Sequence, residues 1–305
     1  MQAIVRVRAR VLGSAAGGGL PQWNCGCARC DRARFASHHA RTQDSLAIFG
    51  SSGAVVCNAS PDLGRQIAAT PELWPRGVRD TPIAAVILTN GDLDHVLGLF
   101  SLRESQPFAI YATEAVRRGL VEHNAMCRTL DRFAGQTVWR ALDLDAEIEL
   151  AGPDGEPTGI TVQPFALPGR PPLHLAGLVE PSPEHNVGLR ITDANDAELV
   201  YAPNAAYLDA SRFTGSGVVL FDGTFWSSDE PIRAGASTLR SEQMGHVPIA
   251  GPEGSLPLFP RKRVQRAIYT HINNTNPILT EGSAERRLVE GAGWEIAFDG
   301  MEIVP

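Results

Sequence analysis

The sequence predicts an α/β sandwich: two mixed β-sheets packed together with helices outside, read as one domain over residues 1–305. Three observations carry this. The apolar runs 83–88 (IAAVIL), 217–221 (GVVLF) and 266–270 (RAIYT) have strand length and read as strands buried on both faces. Residues 4–12 (IVRVRARVL) alternate apolar residues with arginine, the period of a half-buried strand. The element order is strands, then mixed helices and strands, then a closing helix, which suits layered sheets.

After the first strand, a Gly-rich loop, GSAAGGGLPQWNCGCARC, leads into three cysteines. Residues 45–49 and 54–58 are short strands joined by GSSG, a hairpin signal. NASPDLGRQIAA offers Ser60 as N-cap, Pro61 at the first helical position and Asp62 in the first turn. HVLGLFSLRE, after the first buried run, is compatible with a helix. Strands follow near 108–112, 138–140, 147–150, 160–166, 187–192 and 198–202, with a helix at 205–213. The tail carries a helix near 283–291 capped by Ser283, then strands at 294–298 and 302–304. Two Pro-rich stretches, 167–185 and 246–263, read as long surface loops of the kind that serve function or move.

The net charge of −7 argues against a broad nucleic-acid-binding face, so no nucleic-acid partner is expected. No apolar stretch reaches the ~20 residues of a membrane span. The arginines inside the first apolar run argue against an export signal, so a cytoplasmic location without membrane insertion is expected. The five cysteines agree, because three cluster and Cys57 and Cys127 stand alone, unlike a secreted disulfide framework. Lys262 is the only lysine.

All three buried runs end in possible metal ligands: IAAVILTNGDLDH, GVVLFDG and RAIYTH. Sites in α/β folds gather outside the carboxyl ends of strands, so Asp92, Asp94, His95, Asp222 and His271 are expected to converge. Two imidazoles with carboxylates suit Fe(II), Mn or Zn, and two histidines with one carboxylate serve oxygen chemistry on non-haem iron. Each residue also has a plainer reading. Asp92 or Asp94 caps the next helix, Asp222 holds a turn before Gly223, or His271 is a satisfied core histidine. The Cys25, Cys27 and Cys30 thiolates form a Cys-rich loop near 25–30 that suits structural zinc. The fourth ligand is assigned to His246, with His38 or His39 next, although His246 also has an alternative place in the catalytic pocket.

LTNGDLDH resembles the H-x-H-x-D-H signature of the metallo-β-lactamase-fold superfamily, with Asn90 and Asp92 where the first two histidines stand. LFDGTFW and YTHINNTNP resemble the strands that bear that superfamily's bridging aspartate and last histidine. VLGSAAGGGLPQWNCGCARC, DLDHVLGLFSLRE and MGHVPI resemble the pyrroloquinoline quinone biosynthesis protein B family, over nearly the whole chain. The resemblance implies a four-layer αββα sandwich. It also implies O₂-dependent hydroxylation of the tyrosine ring in a Glu-Tyr-derived precursor. In that reading Asp94, His95, Asp222 and His271 hold Fe(II), or zinc as purified, with Asp92 as a ligand or nearby base. Arg170, Asn273, Asn274 and Asn276 are expected to meet the small peptide-derived precursor or its quinone product. Asn90, Asp92 and Arg170, the last standing where a mid-chain histidine would be, leave the first metal position of a binuclear hydrolase weak or empty. The alternatives are a soluble carrier of the quinone or its precursor, assisting transport, and a phosphodiesterase-like metallohydrolase. A homodimer is compatible with the sequence.

Overall fold

The computed structural model describes residues 7–193 and 197–305. Its N-terminal sheet contains β1 (Arg8–Gly13), β2 (Ser45–Gly50), β3 (Gly53–Cys57), β4 (Ile83–Ile87), β5 (Phe108–Ala112) and β6 (Thr137–Ala141). The second sheet contains β7 (Ile148–Ala151), β8 (Pro157–Ala166), β9 (Val187–Thr192), β10 (Glu198–Ala202), β11 (Val218–Asp222), β12 (Arg266–Thr270) and β13 (Trp294–Ile296). The last strand, β14 (Glu302–Ile303), returns to the first sheet beside β1. The strand orders are β14-β1-β2-β3-β4-β5-β6 and β13-β12-β11-β10-β9-β8-β7. Each sheet is mixed. Thus β1–β3 pair antiparallel and β3–β6 parallel, while β7–β10 pair antiparallel and β10–β13 parallel. The predicted fold class holds.

The helices are α1 (Ala28–Phe35), α2 (Leu63–Ala68), α3 (Leu93–Val96), α4 (Glu114–His123), α5 (Glu230–Arg233), α6 (Ser255–Leu258) and α7 (Ala284–Gly291). One apolar core lies between the sheets, drawing Val55 and Ile87 from the first and Leu189, Leu220 and Ile268 from the second. A second core packs Val56, Val86 and Ile110 against Leu63 of α2 and Val116 and Leu120 of α4. A third packs Val219, Phe221 and Tyr269 against Val289 of α7. The strands at the centre of both sheets are therefore apolar on both faces, as a four-layer αββα sandwich requires.

Several expectations need correcting. The first strand begins at Arg8, and residues 4–6 of the expected strand lie outside the described residues. Most of 205–213 is irregular, with only a 3₁₀ turn at Ala210–Phe213. Its backbone donors are drawn to tertiary partners: Ala205 N–H to the Asp222 carboxylate (2.9 Å) and Ala206 N–H to the Pro168 carbonyl (2.8 Å). Four helices escaped the sequence reading, α1, α4, α5 and α6, although Thr113 caps α4 on Val116 N–H and Val116 and Leu120 recur on its buried face. The helix expected after β4 is the single turn of α3 followed by 3₁₀ turns at Leu97–Leu102. The stretch from His246 is no surface excursion at its start, because His246, Val247 and Ile249 are buried. No helix among the described residues is long and apolar enough to cross a membrane.

Candidate metal centre

The parallel strands β4, β11 and β12 deliver their carboxyl ends to one place. Asp222 is the last residue of β11, His271 follows β12, and Asp94 and His95 lie in α3, a short turn after β4. Asp94, His95 and His271 lie within 4.8 Å of one another through their ligand atoms, and Asp222, His246 and His271 form a second such group. His271 joins the two. Its backbone adopts a left-handed φ of 53°, costly for a side chain with a Cβ. The flanking bonds Ile272 N–H to Ser14 O (2.9 Å) and Gly223 N–H to Thr270 O (2.8 Å) hold it there.

Hydrogen bonds orient each imidazole. His95 meets the Thr89 hydroxyl through Nδ1 at 3.3 Å, and its buried Nε2 has no hydrogen-bond partner among the described residues. The Asp94 carboxylate lies 3.9 Å from that Nε2 and 3.3 Å from His271 Nε2. His271 Nδ1 meets the Thr224 hydroxyl at 2.9 Å. Two imidazoles thus face one carboxylate through their Nε2 atoms. An uncompensated buried nitrogen is costly in an apolar interior, and a cation between these three groups would satisfy it. The donor set therefore fits a divalent metal with open positions.

Burial alone would raise the Asp94 carboxyl, but the neighbouring His95 and His271 imidazoles hold it well below the usual carboxylate range. Burial drives His95 down to about 4, against the pull of Asp94. Burial also disfavours the His271 cation, but the bond to Asp94 and the charges of Asp44 and Asp222 raise it to about 9. Burial and the Asp94 charge push Asp92 up to about 6. Asp92 occupies the N-cap position of α3 yet accepts no capping bond, so the helix-cap reading fails for its carboxylate. It stands in the cavity wall, outside both ligand groups.

Asp222 holds the turn expected of it and also lies in the second ligand group. Its Oδ1 accepts Thr224 N–H (3.0 Å) and the Thr224 hydroxyl (2.6 Å), an Asx turn. Its Oδ2 accepts Ala205 N–H (2.9 Å) and His246 Nδ1 (2.8 Å). His246 is therefore a correction: it lies against Asp222, its ring stacked 5.2 Å from His271, rather than with the cysteines. Asn90, expected to be a poor ligand, accepts Asp92 N–H through Oδ1 at 3.0 Å, and its Nδ2 is buried without a partner among the described residues.

A cavity of about 460 Å³ opens on this centre, walled by Asp92, Asp94, Arg170, His174, Met244 and His246 among others. Asn273 also lines it. Gly17 of the Gly-rich loop lies so close to the centre that a Cβ there would stand 3.0 Å from Asp94 Oδ2. A larger cavity, about 660 Å³, is walled by the β2–β3 turn and the start of β4, at the opposite strand ends from the ligand cluster. The chemistry assigns the site to the smaller one.

Cys25, Cys27 and Cys30 converge within 4.8 Å of one another. The fourth side is covered by Asn274, whose Nδ2 lies 3.1 Å, 3.9 Å and 3.3 Å from the three sulfurs. Burial pushes the Cys30 thiol up to about 11. Asn274 is therefore corrected from a substrate contact to a partner of the cysteines. Asn276 is corrected too: it is fully buried, donates to the Gly223 carbonyl (2.9 Å) and caps the turn at Ile278. Arg29 of α1 donates to the Asn274 and Thr275 carbonyls, so the Cys-rich loop braces the segment that follows His271. The sequence reading missed Thr89, Thr224 and the buried Asp44. Thr224 alone had a local signal, two residues after Asp222.

Residues 54–272 match the family described as the beta-lactamase superfamily domain. The chain is 43% identical to the coenzyme PQQ synthesis protein B of Gluconacetobacter diazotrophicus, over 96% of this chain and 98% of that one. It is 41% identical to the same-named protein of Ruegeria pomeroyi, over 96% and 98%. Among solved structures, Zn(2+)-bound PqqB from Methylobacterium extorquens superposes with a TM-score of 0.88 at 38% identity, covering 97% of this chain and 99% of that one. A diphosphatase from the PhnP family superposes with a TM-score of 0.66 at 19% identity over 98% and 97%, a likeness of fold alone.

Proposed function

This chain belongs to the coenzyme PQQ synthesis protein B family, and we propose that it acts in pyrroloquinoline quinone biosynthesis as an iron-dependent oxygenase. The substrate is the tyrosine ring of a small Glu-Tyr-derived precursor, and O₂ is co-substrate. One observation carries the reading: two imidazoles and one carboxylate face one another beside an open cavity, with His95 Nε2 left bare. Asp94, His95 and His271 hold the iron, and Asp222 serves from the adjoining group by fixing His246. Zinc, a borderline ion, would fit the same donors in purified protein.

When bound, Fe(II) supplies the activation of O₂ that ring hydroxylation needs. The net change places one oxygen atom in a ring C–H bond and releases the other as water, with two electrons from an added reductant. The remaining work belongs to side chains. Arg170 and Asn273 in the cavity wall suit the precursor's carboxylates and peptide groups. With Nδ1 on Asp222, His246 keeps Nε2 for a substrate hydroxyl or ring proton. Asp92, raised to about 6, is a second base at the cavity wall. The Cys25–Cys27–Cys30 cluster takes zinc and braces the His271 segment.

Asn90 and Asp92 stand against paired-metal hydrolysis, because Asp92 lies outside both ligand groups and the Asn90 amide oxygen is taken by Asp92 N–H. The test is anaerobic Fe(II)-loaded protein given a tyrosine-containing precursor, a reductant and then O₂. Ring-hydroxylated product, abolished in His271→Ala, supports the reading. Tight quinone binding without turnover, unchanged in His271→Ala, supports the carrier instead.

A further inference from the structure

Thr89, which touches His95, is the end of a longer buried chain. The Thr89 hydroxyl and Thr89 N–H both lie 3.0 Å from Asn58 Oδ1. Asn58 Nδ2 lies 3.3 Å from the Tyr201 hydroxyl. Tyr201 in turn bonds Asp44 Oδ2, and the Thr270 hydroxyl meets Asp44 Oδ1 at 2.7 Å. Asp44, Asn58, Thr89, Tyr201 and His95 are all at most 1% exposed, so water offers no alternative partner.

The chain runs in one direction. A carboxylate only accepts, so Tyr201 donates its hydroxyl hydrogen to Asp44. The Tyr201 oxygen is then free to accept from Asn58 Nδ2, which turns the Asn58 oxygen toward Thr89. That oxygen accepts both the N–H and the O–H of Thr89. Having spent its hydrogen, the Thr89 oxygen accepts from His95 Nδ1–H. The proton of neutral His95 is thereby fixed on Nδ1, and Nε2 keeps the lone pair that faces Asp94 and His271. Asn58 holds a left-handed φ of 62°, a conformation that asparagine tolerates better than most residues.

We propose that Asn58, its Oδ1 held toward Thr89 by the Thr89 N–H and its Nδ2 by Tyr201 on Asp44, is a positioning residue that through the Thr89 hydroxyl sets the tautomer of His95 so that its Nε2 presents a lone pair to metal. The inference rests on His95 being a ligand. Such outer partners are worth about 10–100-fold in metal affinity. In Thr89→Val the side chain keeps its shape but offers His95 Nδ1–H no acceptor, so the proton is free to move to Nε2, where the Asp94 carboxylate accepts it. Asn58→Gly keeps the left-handed backbone and removes the oxygen that takes the Thr89 hydroxyl hydrogen, which can then turn to His95 Nδ1.

The experiment pairs ¹⁵N-histidine NMR of the metal-free proteins near pH 7 with Mn(II) titration. Wild-type His95 is expected to be Nδ1–H. In Thr89→Val and Asn58→Gly its signals should move toward the Nε2–H form, with Mn(II) binding at least about tenfold weaker. The His246 and His271 signals should stay in place, which a general loosening of the core would not allow. A wild-type His95 protonated on Nε2 overturns the proposal even if neither variant folds. A folded variant that keeps Nδ1–H, or one that changes tautomer and binds Mn(II) as wild type does, also overturns it. Failure of wild-type protein to bind Mn(II) would sink the metal reading instead, while the nitrogen signals still decide the relay.

Discussion

Metal binding at Asp94, His95 and His271 should release one proton near neutral pH. His271 is raised to about 9 in the metal-free fold, so it carries a proton on Nε2 at pH 7. Burial depresses His95 to about 4, and Asp94 lies well below the usual carboxylate range, so neither has a proton to lose. A metal must displace the His271 proton before it gains that lone pair. Two pH units below a value of about 9 correspond to a roughly hundredfold loss of apparent affinity, about 3 kcal/mol at pH 7. Affinity should therefore rise tenfold per pH unit and level off above about pH 9. Mn(II) is the ion to use, because a hard cation avoids the thiolates. Free Mn(II) is followed by electron paramagnetic resonance between pH 7 and 8.5, where Asp92 is already ionised. A pH-independent affinity would show that His271 is neutral in the free protein, and a slope of two would demand a second proton. The same shift stabilises the metal-free fold: His271's folded value lies above its ordinary 6.5, so the contribution is full below that pH and fades as pH rises through about 9.

Asp92→Asn should raise the melting temperature of the metal-free protein at pH 8 but not at pH 4. The Asp92 carboxyl is raised from its ordinary 3.8 to about 6 by burial and by Asp94, so its destabilisation grows as pH rises between those values and is full above about 6, as thermal melts at the two pH values would reveal. Cys27→Ser should lose zinc while keeping most Mn(II) binding, and His271→Ala should lose Mn(II) binding while keeping zinc. Metal analysis of the two proteins side by side checks that the sites are separate. In Gly98→Ala the new Cβ would fall 2.1 Å from the Ser60 carbonyl oxygen and 2.8 Å from that of Ala59. Backbone cannot yield there, so a loss above ~3 kcal/mol is expected, or about 5 °C in a melt of a chain this long.

The convergence of Asp94, His95, Asp222 and His271 was legible because it follows from strand patterning. Apolar runs 83–88, 217–221 and 266–270 had to be central strands, and residues at their carboxyl ends had to meet. The helices were less legible. Residues 205–213 look helical, but the site takes their backbone donors, a tertiary effect that no local pattern carries. His246 went to the wrong centre because ligand counting prefers a histidine to an amide, and Asn274 reaches the sulfurs from 244 residues beyond Cys30. The Asp44–Tyr201 bond joins residues 157 apart and both sheets, so nothing near Asp44 announces its role. Asn58 and Thr89 likewise look like ordinary turn residues until the sheets close around them.

The central claim is that this two-histidine, one-carboxylate centre inserts oxygen from O₂ into a tyrosine-derived ring. Its most direct test is a single-turnover reaction of anaerobic Fe(II)-loaded protein with a Glu-Tyr-derived precursor, a reductant and ¹⁸O₂, read by mass spectrometry. One ¹⁸O atom per hydroxylation in the product, and none when His95 or His271 is replaced by alanine, is the predicted result. Product oxygen drawn from water, or an unchanged precursor with iron in place, would contradict the account.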